Sequence, residues 1–374
     1  MINWKKHALG DVLEYTQPSH FIVNNTEYNP EFQIPVLTPG KSFILGYTNE
    51  QEGIYDRLPT IIFDDFTTAF KYVDFPFKVK SSAMKMLNTT SIKFDIKFIY
   101  YLMQTINFEA KEHKRYWISK YSQLQVRIPP LEEQKKIASI LDAADDYRQK
   151  TKALIDKYDQ LSQSLFLDMF GDPVTNPKGW DKSLIRNVAE AKNGYAFKST
   201  DYLEKGVPLI RMSNFNNGPV EIKDTIKVSN VFLESRKNFI LQNNDFVIAL
   251  SGATTGKYGI YQHDFPSLLN QRIGLIRAKP VVSVTYLHEF LKLKSNEILK
   301  MAAGAAQPNV SLKEIQEITI PVPPLYLQNR FATSLNNIKS QKQQAEASLV
   351  KAEELFNSLL QKAFKGELTN QHLS

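Results

Sequence analysis

The chain has 374 residues, a formal net charge of +7 and no cysteine, with 43% hydrophobic and 23% charged residues. That length exceeds one ordinary core and predicts at least two domains; the missing cysteine excludes a disulfide framework, a thiolate nucleophile and a cysteine-bound zinc site. No apolar run approaches the roughly 20 residues that cross a bilayer, and the polar start "MINWKKHALGD" is unlike a signal peptide, so the expectation is a cytoplasmic protein with no membrane partner.

The first block offers short β-branched or aromatic runs bounded by Pro, Gly and Asp: "IPVLT" at 34–38, "SFILGYT" at 42–48, "PTIIFDD" at 59–65 and "PFKVKSS" at 76–82. After Pro129 and Pro130 the periodicity becomes helical. Ile137, Ile140, Ala144, Tyr147, Thr151, Leu154, Tyr158, Leu161 and Leu165 alternate by three and four, the spacing of a seam offered to a partner helix, and "FGDP" at 170–173 stops the run. A second block then opens with "WDKSLIRNVAE" from Trp180, which parallels "WKKHALGDVLE" from Trp4, and carries "VPLIRM", "DFVIAL", "GKYGIYQ" and "RIGLIRA" as strands. It ends in a second helix with the seam Leu335, Ile338, Lys342, Ala345, Leu349, Ala352, Phe356, Leu359 and Ala363.

The two helices are copies. "IPPLEEQKKIASIL" at 128–141 returns as "VPPLYLQNRFATSL" at 322–335, in register over Pro129, Pro130, Leu131, Gln134, Ala138 and Leu141. About 40 residues make on the order of 60 Å of helix. An apolar stripe of that length needs a cover, and each copy can serve the other. The expected fold is therefore α+β (mixed α/β): two tandem globular domains, 1–128 and 172–322, joined by two long antiparallel helices, 129–171 and 323–366, that form a coiled coil with pseudo-two-fold symmetry, and a tail at 367–374. The alternative is that each helix folds back on its own neighbouring block.

Charge is unevenly placed, with +2 in residues 1–130, −2 in 131–170, +5 in 171–324 and +2 in 325–364. The basic second block suits a polyanion such as nucleic acid. "SGATTGK" at 251–257 is not a phosphate-binding P-loop, because three rather than four residues separate Gly252 from Gly256 and Tyr258 stands where a magnesium-binding hydroxyl belongs. It is either a tight glycine turn between strands or a functional loop; Thr254, Thr255 and Lys257 there suit contact with a nucleic-acid backbone or base edges. "HEFLK" at 288–292 lacks a second histidine, so His288 is read as an ordinary surface or helix residue. The Glu-x-Lys strings at 109–111 and 112–114 are short enough to arise by chance. There is no Asn-Pro-Pro-aromatic string for methylating a base.

The order of blocks, the paired "PPL-x-x-Q" helix starts, "FGDP", "SGATTGK", "NQRIG" and "AQPNVS" together resemble the DNA-specificity subunit of type I restriction-modification systems, along essentially the whole chain. Tyr326 and Leu327 depart from the Glu132 and Glu133 of the first copy. The resemblance implies a non-catalytic chain whose two target-recognition domains each read half of a split site in double-stranded DNA, with the helices fixing the gap. It implies as partners two modification (adenine-N6 methyltransferase) subunits and restriction subunits, to which S-adenosylmethionine, ATP and magnesium belong. It implies DNA contacts at Lys41, Ser42, Tyr47, Thr48, Thr67, Thr68 and Lys71 in the first block. In the second it implies Lys192, Asn193, Tyr195, Phe197, Arg211, Asn214, Thr254, Thr255, Lys257, Asn270, Gln271 and Arg272, although Asn270–Arg272 could equally be strand residues buried on the core. The rival reading is a two-domain coiled-coil scaffold that never touches DNA.

Overall fold

The computed structural model describes residues 4–40, 42–109, 115–252, 254–301 and 309–368. They form two compact units. One is the chain up to Ala153 together with the residues from Ala345 on, and the other is Leu154–Gln344.

The first block runs through β1 (Lys5–Ala8), the helical turn α1 (Leu9–Val12), β2 (Leu13–Thr16), β3 (Ile34–Leu37), β4 (Ile44–Thr48), β5 (Thr60–Asp64), β6 (Phe70–Val73), β7 (Lys78–Val79), β8 (Met84–Thr89), helix α2 (Ile96–Gln104) and β9 (Gln125–Ile128). Its strands make an antiparallel sheet of order β2-β8-β5-β6, a smaller sheet β4-β3-β7 and the ribbon β1-β9. Helix α3 (Leu131–Phe170) follows.

The second block runs through β10 (Lys182–Leu184), α4 (Ile185–Val188), β11 (Ala189–Asn193), β12 (Tyr202–Leu203), β13 (Val207–Ile210), β14 (Gly218–Pro219), β15 (Lys227–Val228), α5 (Val231–Ser235), β16 (Ile240–Leu241), β17 (Asp245–Ala249), β18 (Tyr258–Tyr261), β19 (Ser267–Leu269), β20 (Ile273–Ala278), α6 (Val284–Met301), α7 (Leu312–Gln316), β21 (Thr319–Pro321) and helix α8 (Leu325–Phe364). The sheet β11-β20-β17-β18-β14 repeats the first block's main sheet with one strand added. The sheet β12-β15-β13-β19-β16 enlarges β4-β3-β7, and β10-β21 repeats the ribbon. The duplication seen in the helices therefore extends to the order of every principal strand.

The central strands read as unbroken apolar runs because both faces of the sheet are covered. Ile61, Phe63 and Leu87 join α2 and the start of α3 in one core, while Ile62, Met84 and Met86 point the other way, onto Leu37 and Val79. The second block repeats the alternation: Phe246, Ile248 and Ile276 face α6, and Val247, Ala249 and Leu275 face Ile210 and Leu269.

Each long helix is fixed at its start by the glutamine of the repeated motif. Gln134 is buried; its Nε2 donates to the carbonyls of Pro129 (2.9 Å) and Lys93 (3.0 Å), and its Oε1 accepts from the backbone N–H of Asp95 (2.8 Å), the N-cap of α2. Gln328 is buried likewise, donating to the Pro323 carbonyl (2.7 Å) and accepting from the Ser283 N–H (2.7 Å) just ahead of α6. At the far ends, Gly171 (φ 80°) and Gly366 (φ 70°) adopt the left-handed conformation that closes a helix.

In the first unit the early part of α3 meets the late part of α8: Ile137, Leu141 and Ala144 share a core with Phe356 and Ala363, Arg148 lies 4.3 Å over the Phe356 ring, and Lys152 pairs with Glu353 at 3.3 Å. In the second unit the late part of α3 meets the early part of α8. There Phe166 and Phe170 pack on Phe331 (5.6 and 5.2 Å) and on Tyr286 of α6 (5.5 and 4.8 Å), and Lys342 pairs with Asp159 at 2.6 Å. In both units the helical halves run antiparallel, and the block covers them as well. Within each unit the helices therefore pair with each other, as the first expectation has it, rather than lying singly on a neighbouring block.

The seam on α8 lies where its spacing puts it, with Leu335 buried and Ile338, Leu349 and Leu359 partly so. On α3 Ile137 is buried and Ile140 and Leu165 are partly so, but Leu154 and Leu161 are 42% and 48% exposed and Tyr147 is 53% exposed, so these three do not belong to it. The residues facing inward along that stretch are Arg148, Thr151, Ile155, Tyr158 and Ser162. A two-helix seam is thin enough for a guanidinium over a ring and a Thr151 hydroxyl donated to the Tyr147 carbonyl (2.8 Å) to line it, so the largest apolar residues do not mark it.

Replacing Gln328 by Ala leaves a buried amide and a buried carbonyl without partners, and is expected to cost about 1–3 kcal/mol in urea unfolding of the full chain. A loss within about 0.5 kcal/mol would show that the junction is not held by this side chain.

His288, on α6, is buried rather than on the surface, with Nε2 3.0 Å from the Asn244 carbonyl. Burial, with Lys292 nearby, pushes its imidazole from 6.5 down to about 4. Between those two values the unfolded chain binds a proton that the folded one refuses, so this group makes stability fall as pH drops from 6.5 towards 4. His288→Gln should flatten that part of the stability–pH curve; an unchanged slope would assign it to other groups.

Candidate nucleic-acid interface

The parallel neighbours β13 and β19 end side by side, and their last rung is the hydrogen bond from the Asn270 N–H to the Ile210 carbonyl (3.1 Å). Past that rung both chains leave the sheet and bound a cleft of about 410 Å³. Arg211, Met212 and Ser213 come from the turn after β13, and Asn270, Gln271 and Arg272 from the loop after β19. Thr254 enters from the β17–β18 hairpin, Phe197 and Tyr202 from the segment after β11.

The turn after β13 and the β17–β18 hairpin are each held by a buried polar side chain bonded to the loop's own backbone, which leaves the outward side chains to serve a ligand. Asn214 is buried and its Oδ1 accepts from the Arg211 N–H (2.8 Å), closing the turn. The hairpin turns on Gly252 (φ 84°) and Gly256 (φ 81°), and the buried Thr255 donates its hydroxyl to the Gly252 carbonyl (2.7 Å). The Thr254 hydroxyl meets the Met212 sulfur at 3.4 Å, tying hairpin to turn. Gly194 is required by close approach: a Cβ there would stand 2.2 Å from the Asn270 carbonyl oxygen. Tyr195 donates its N–H to Leu269 (2.8 Å) and lays its ring under the Arg236 guanidinium (4.4 Å) and against Phe197 (5.0 Å).

Six of the residues expected to touch nucleic acid thus line one cleft: Phe197, Arg211, Thr254, Asn270, Gln271 and Arg272. Asn270–Arg272 are loop residues, and the strand begins at Ile273. Arg211, Gln271 and Arg272 are exposed, and neither arginine forms an ion pair among the described residues. Asn214 and Thr255 are corrections: buried and bonded to backbone, they shape the cleft instead of facing it. Tyr195 belongs to an aromatic cluster. Lys192 sits on β11 paired with Glu190 at 2.7 Å, Asn193 ends that strand, and Lys257 leaves the hairpin with its N–H bonded to Thr254. Tyr202, Met212 and Ser213 were not anticipated; the signal for the last two is their place directly after an apolar strand run.

The first-block candidates are not gathered by any cleft described here. Lys41 lies outside the described residues. Ser42 is exposed ahead of β4, and Tyr47 and Thr48 lie on β4; Thr48 is buried with its hydroxyl accepting from the Glu50 N–H (3.3 Å), which corrects its reading as a contact residue. Thr67 and Thr68 (φ 58°) form the β5–β6 turn, and Lys71 is exposed on β6 of the other sheet.

The sequence matches the type I restriction modification DNA specificity domain over residues 1–157 and 177–351. It is 29% identical to the EcoR124I/EcoR124II specificity subunit of Escherichia coli, covering 88% of this chain and 85% of that protein, and 22% identical to the MjaVIII specificity subunit of Methanocaldococcus jannaschii, covering 96% and 92%. Its fold is that of the S subunit of a type I restriction-modification system from M. genitalium (TM-score 0.63, 17% identity, 97% and 96% covered).

Gly194→Ala must displace the Asn270 carbonyl and is expected to destabilise the chain by at least about 2 kcal/mol, whereas Gly218→Ala, which meets nothing within 4 Å, should stay within about 0.5 kcal/mol. Equal thermal midpoints for the two variants would disprove the close packing of the 194–197 loop on the cleft.

Proposed function

Because the chain belongs to the type I restriction-modification DNA specificity family, we propose that the cleft of its second unit reads base edges in one half of a split DNA site. The chain is a specificity subunit of such a system, which sets aside a scaffold that never meets DNA. The observation carrying the finer reading is the convergence of two unpaired guanidiniums, two side-chain amides and a hydroxyl at the ends of β13 and β19, inside the matched DNA specificity domain.

The chemistry suits base edges. A guanidinium can donate two parallel hydrogen bonds to guanine O6 and N7, and an Asn or Gln amide can pair with adenine N6 and N7; each such contact discriminates by about 1–3 kcal/mol. Arg211 and Arg272 take the first role in this reading, Asn270 and Gln271 the second, and Thr254 donates or accepts singly. Phosphate contacts from neighbouring lysines position the duplex without carrying sequence information.

In the same proposal the first unit reads the other half, and α3 and α8, each beginning in one unit and ending in the other, set the number of base pairs between the halves. Bond-making falls to partners: two modification subunits that methylate adenine N6 with S-adenosylmethionine, and restriction subunits that use ATP and magnesium. The chain itself is non-catalytic in this reading, and acts in the cytoplasm.

The test is to co-express the chain with its modification subunit and map methylated adenines across the genome. The expected result is a two-part motif with a fixed gap, and Arg272→Ala should relax one half at one or two positions while leaving the gap intact. An Arg272→Ala motif identical to the parent's, for a complex of equal stability, would remove this cleft from recognition.

A further inference from the structure

A cleft in the first unit, lined by Lys5, His7 and residues 128–131, holds none of the first-block candidates, yet the backbone of that unit contains the same device as the second. β3 and β7 are parallel neighbours with Leu37 opposite Val79, as Ile210 lies opposite Leu269 in β13 and β19. The last rung is also repeated: the Lys80 N–H donates to the Leu37 carbonyl at 3.2 Å, as the Asn270 N–H donates to Ile210 at 3.1 Å. Val23 donates to the Val79 carbonyl (3.0 Å) as Tyr195 donates to Leu269 (2.8 Å). The β5–β6 turn, carrying Thr67 and Thr68, occupies the place of the β17–β18 hairpin, since β5 and β17 lie between equivalent neighbours.

This equivalence places residues. Thr38 follows β3 as Arg211 follows β13, and Lys80, Ser81 and Ser82 follow β7 as Asn270, Gln271 and Arg272 follow β19. Lys80, Ser81 and Ser82 are exposed, and Thr38 is half-buried. We propose that Thr38, Lys80, Ser81 and Ser82 are the specificity-determining residues of the first unit, reading the half-site that the second unit does not. The proposal rests on the reading of the second unit's cleft given above.

It also makes the two half-sites chemically unlike. At these four positions the first unit carries three hydroxyls and an ammonium where the second carries two guanidiniums and two amides. A hydroxyl makes single hydrogen bonds that several bases satisfy, whereas an ammonium, like a guanidinium, can reach guanine O6 and N7 together. Lys80 is thus the one two-point reader of the four, and the three hydroxyls make the half-site of the first unit the more permissive of the two.

The experiment uses the complex of the full chain with its modification subunit, once the parent motif is mapped. Duplexes carry the intact motif or the motif with one half randomised, and preference is measured by competition at fixed salt. Arg272→Ala identifies the half read by the second unit. In the variant Lys80→Ala/Ser81→Ala/Ser82→Ala, preference at the other half should fall at least about tenfold, the scale of a single mismatch, with preference at the Arg272 half unchanged. Full preference at both halves, with the Arg272→Ala effect intact, overturns the proposal while leaving the second unit's cleft standing. A uniform loss on every duplex marks the three as phosphate contacts and overturns it too. If Arg272→Ala also changes nothing, both readings fall together. Should the triple variant lose its thermal transition, Ser82→Ala alone decides by the same criterion at smaller amplitude.

Discussion

The architecture depends on one buried side chain used twice. Two prolines lead into each long helix, and the carbonyl of the first lies just outside the helical ladder, so it must find a donor elsewhere. Gln134 and Gln328 supply it, and with the remaining oxygen each accepts from the N–H at the head of the helix lying under its own block's main sheet. A long helix and its block thus meet at a shared polar joint built on a buried glutamine. Turning one on the other would strand buried hydrogen-bonding groups, at a cost that apolar contacts, being non-directional, would not impose. The joint is what converts apolar packing into a defined angle.

Above that joint, the sheets separate what must stay constant from what is free to change. The place where a side chain leaves the β13–β19 or β3–β7 pair is fixed by a backbone rung, which any residue but proline can make. The residue that follows ties in through its backbone, Arg211 N–H to Asn214 Oδ1 and Thr38 N–H to the Phe43 carbonyl, so its side chain is spared that duty. Arg211 and Thr38 can therefore occupy equivalent places without disturbing the sheet beneath. The polar residues that do hold the turns, Asn214 and Thr255, are buried and bonded inward, so construction and contact fall to different side chains in the same loop.

Much of this was legible in the sequence. The repeated proline–glutamine helix starts announced the duplication, and the polar strings after apolar runs marked the second unit's cleft, because a strand ending in a buried rung must release whatever follows it. Three things were hidden. The α3 seam was read correctly at Thr151 and Tyr158 but misjudged at Tyr147, Leu154 and Leu161, which are large and heptad-spaced yet face outward, while Arg148, Ile155 and Ser162 face inward instead. Thr48, Asn214 and Thr255 have the same side chains whether they meet backbone or ligand, and only burial tells them apart. The first unit's reading positions depend on pairing β3 with β7, strands far apart in sequence whose parallel neighbourhood leaves no local pattern.

The first unit takes its helical half-pair from both sides of the second, and this has a consequence for synthesis. Ile137, Leu141 and Ala144 share a core with Phe356 and Ala363, whereas the second unit is one continuous stretch. A ribosome adding about 5–20 residues each second needs on the order of 10–40 s to pass from Ala144 to Phe356. Through that interval the early part of α3 lacks its α8 partner, while the later block receives the last residues of its own core, Phe331 and Leu335, before Phe356 is made. What is translated first must wait for the last turns of the chain before it can close.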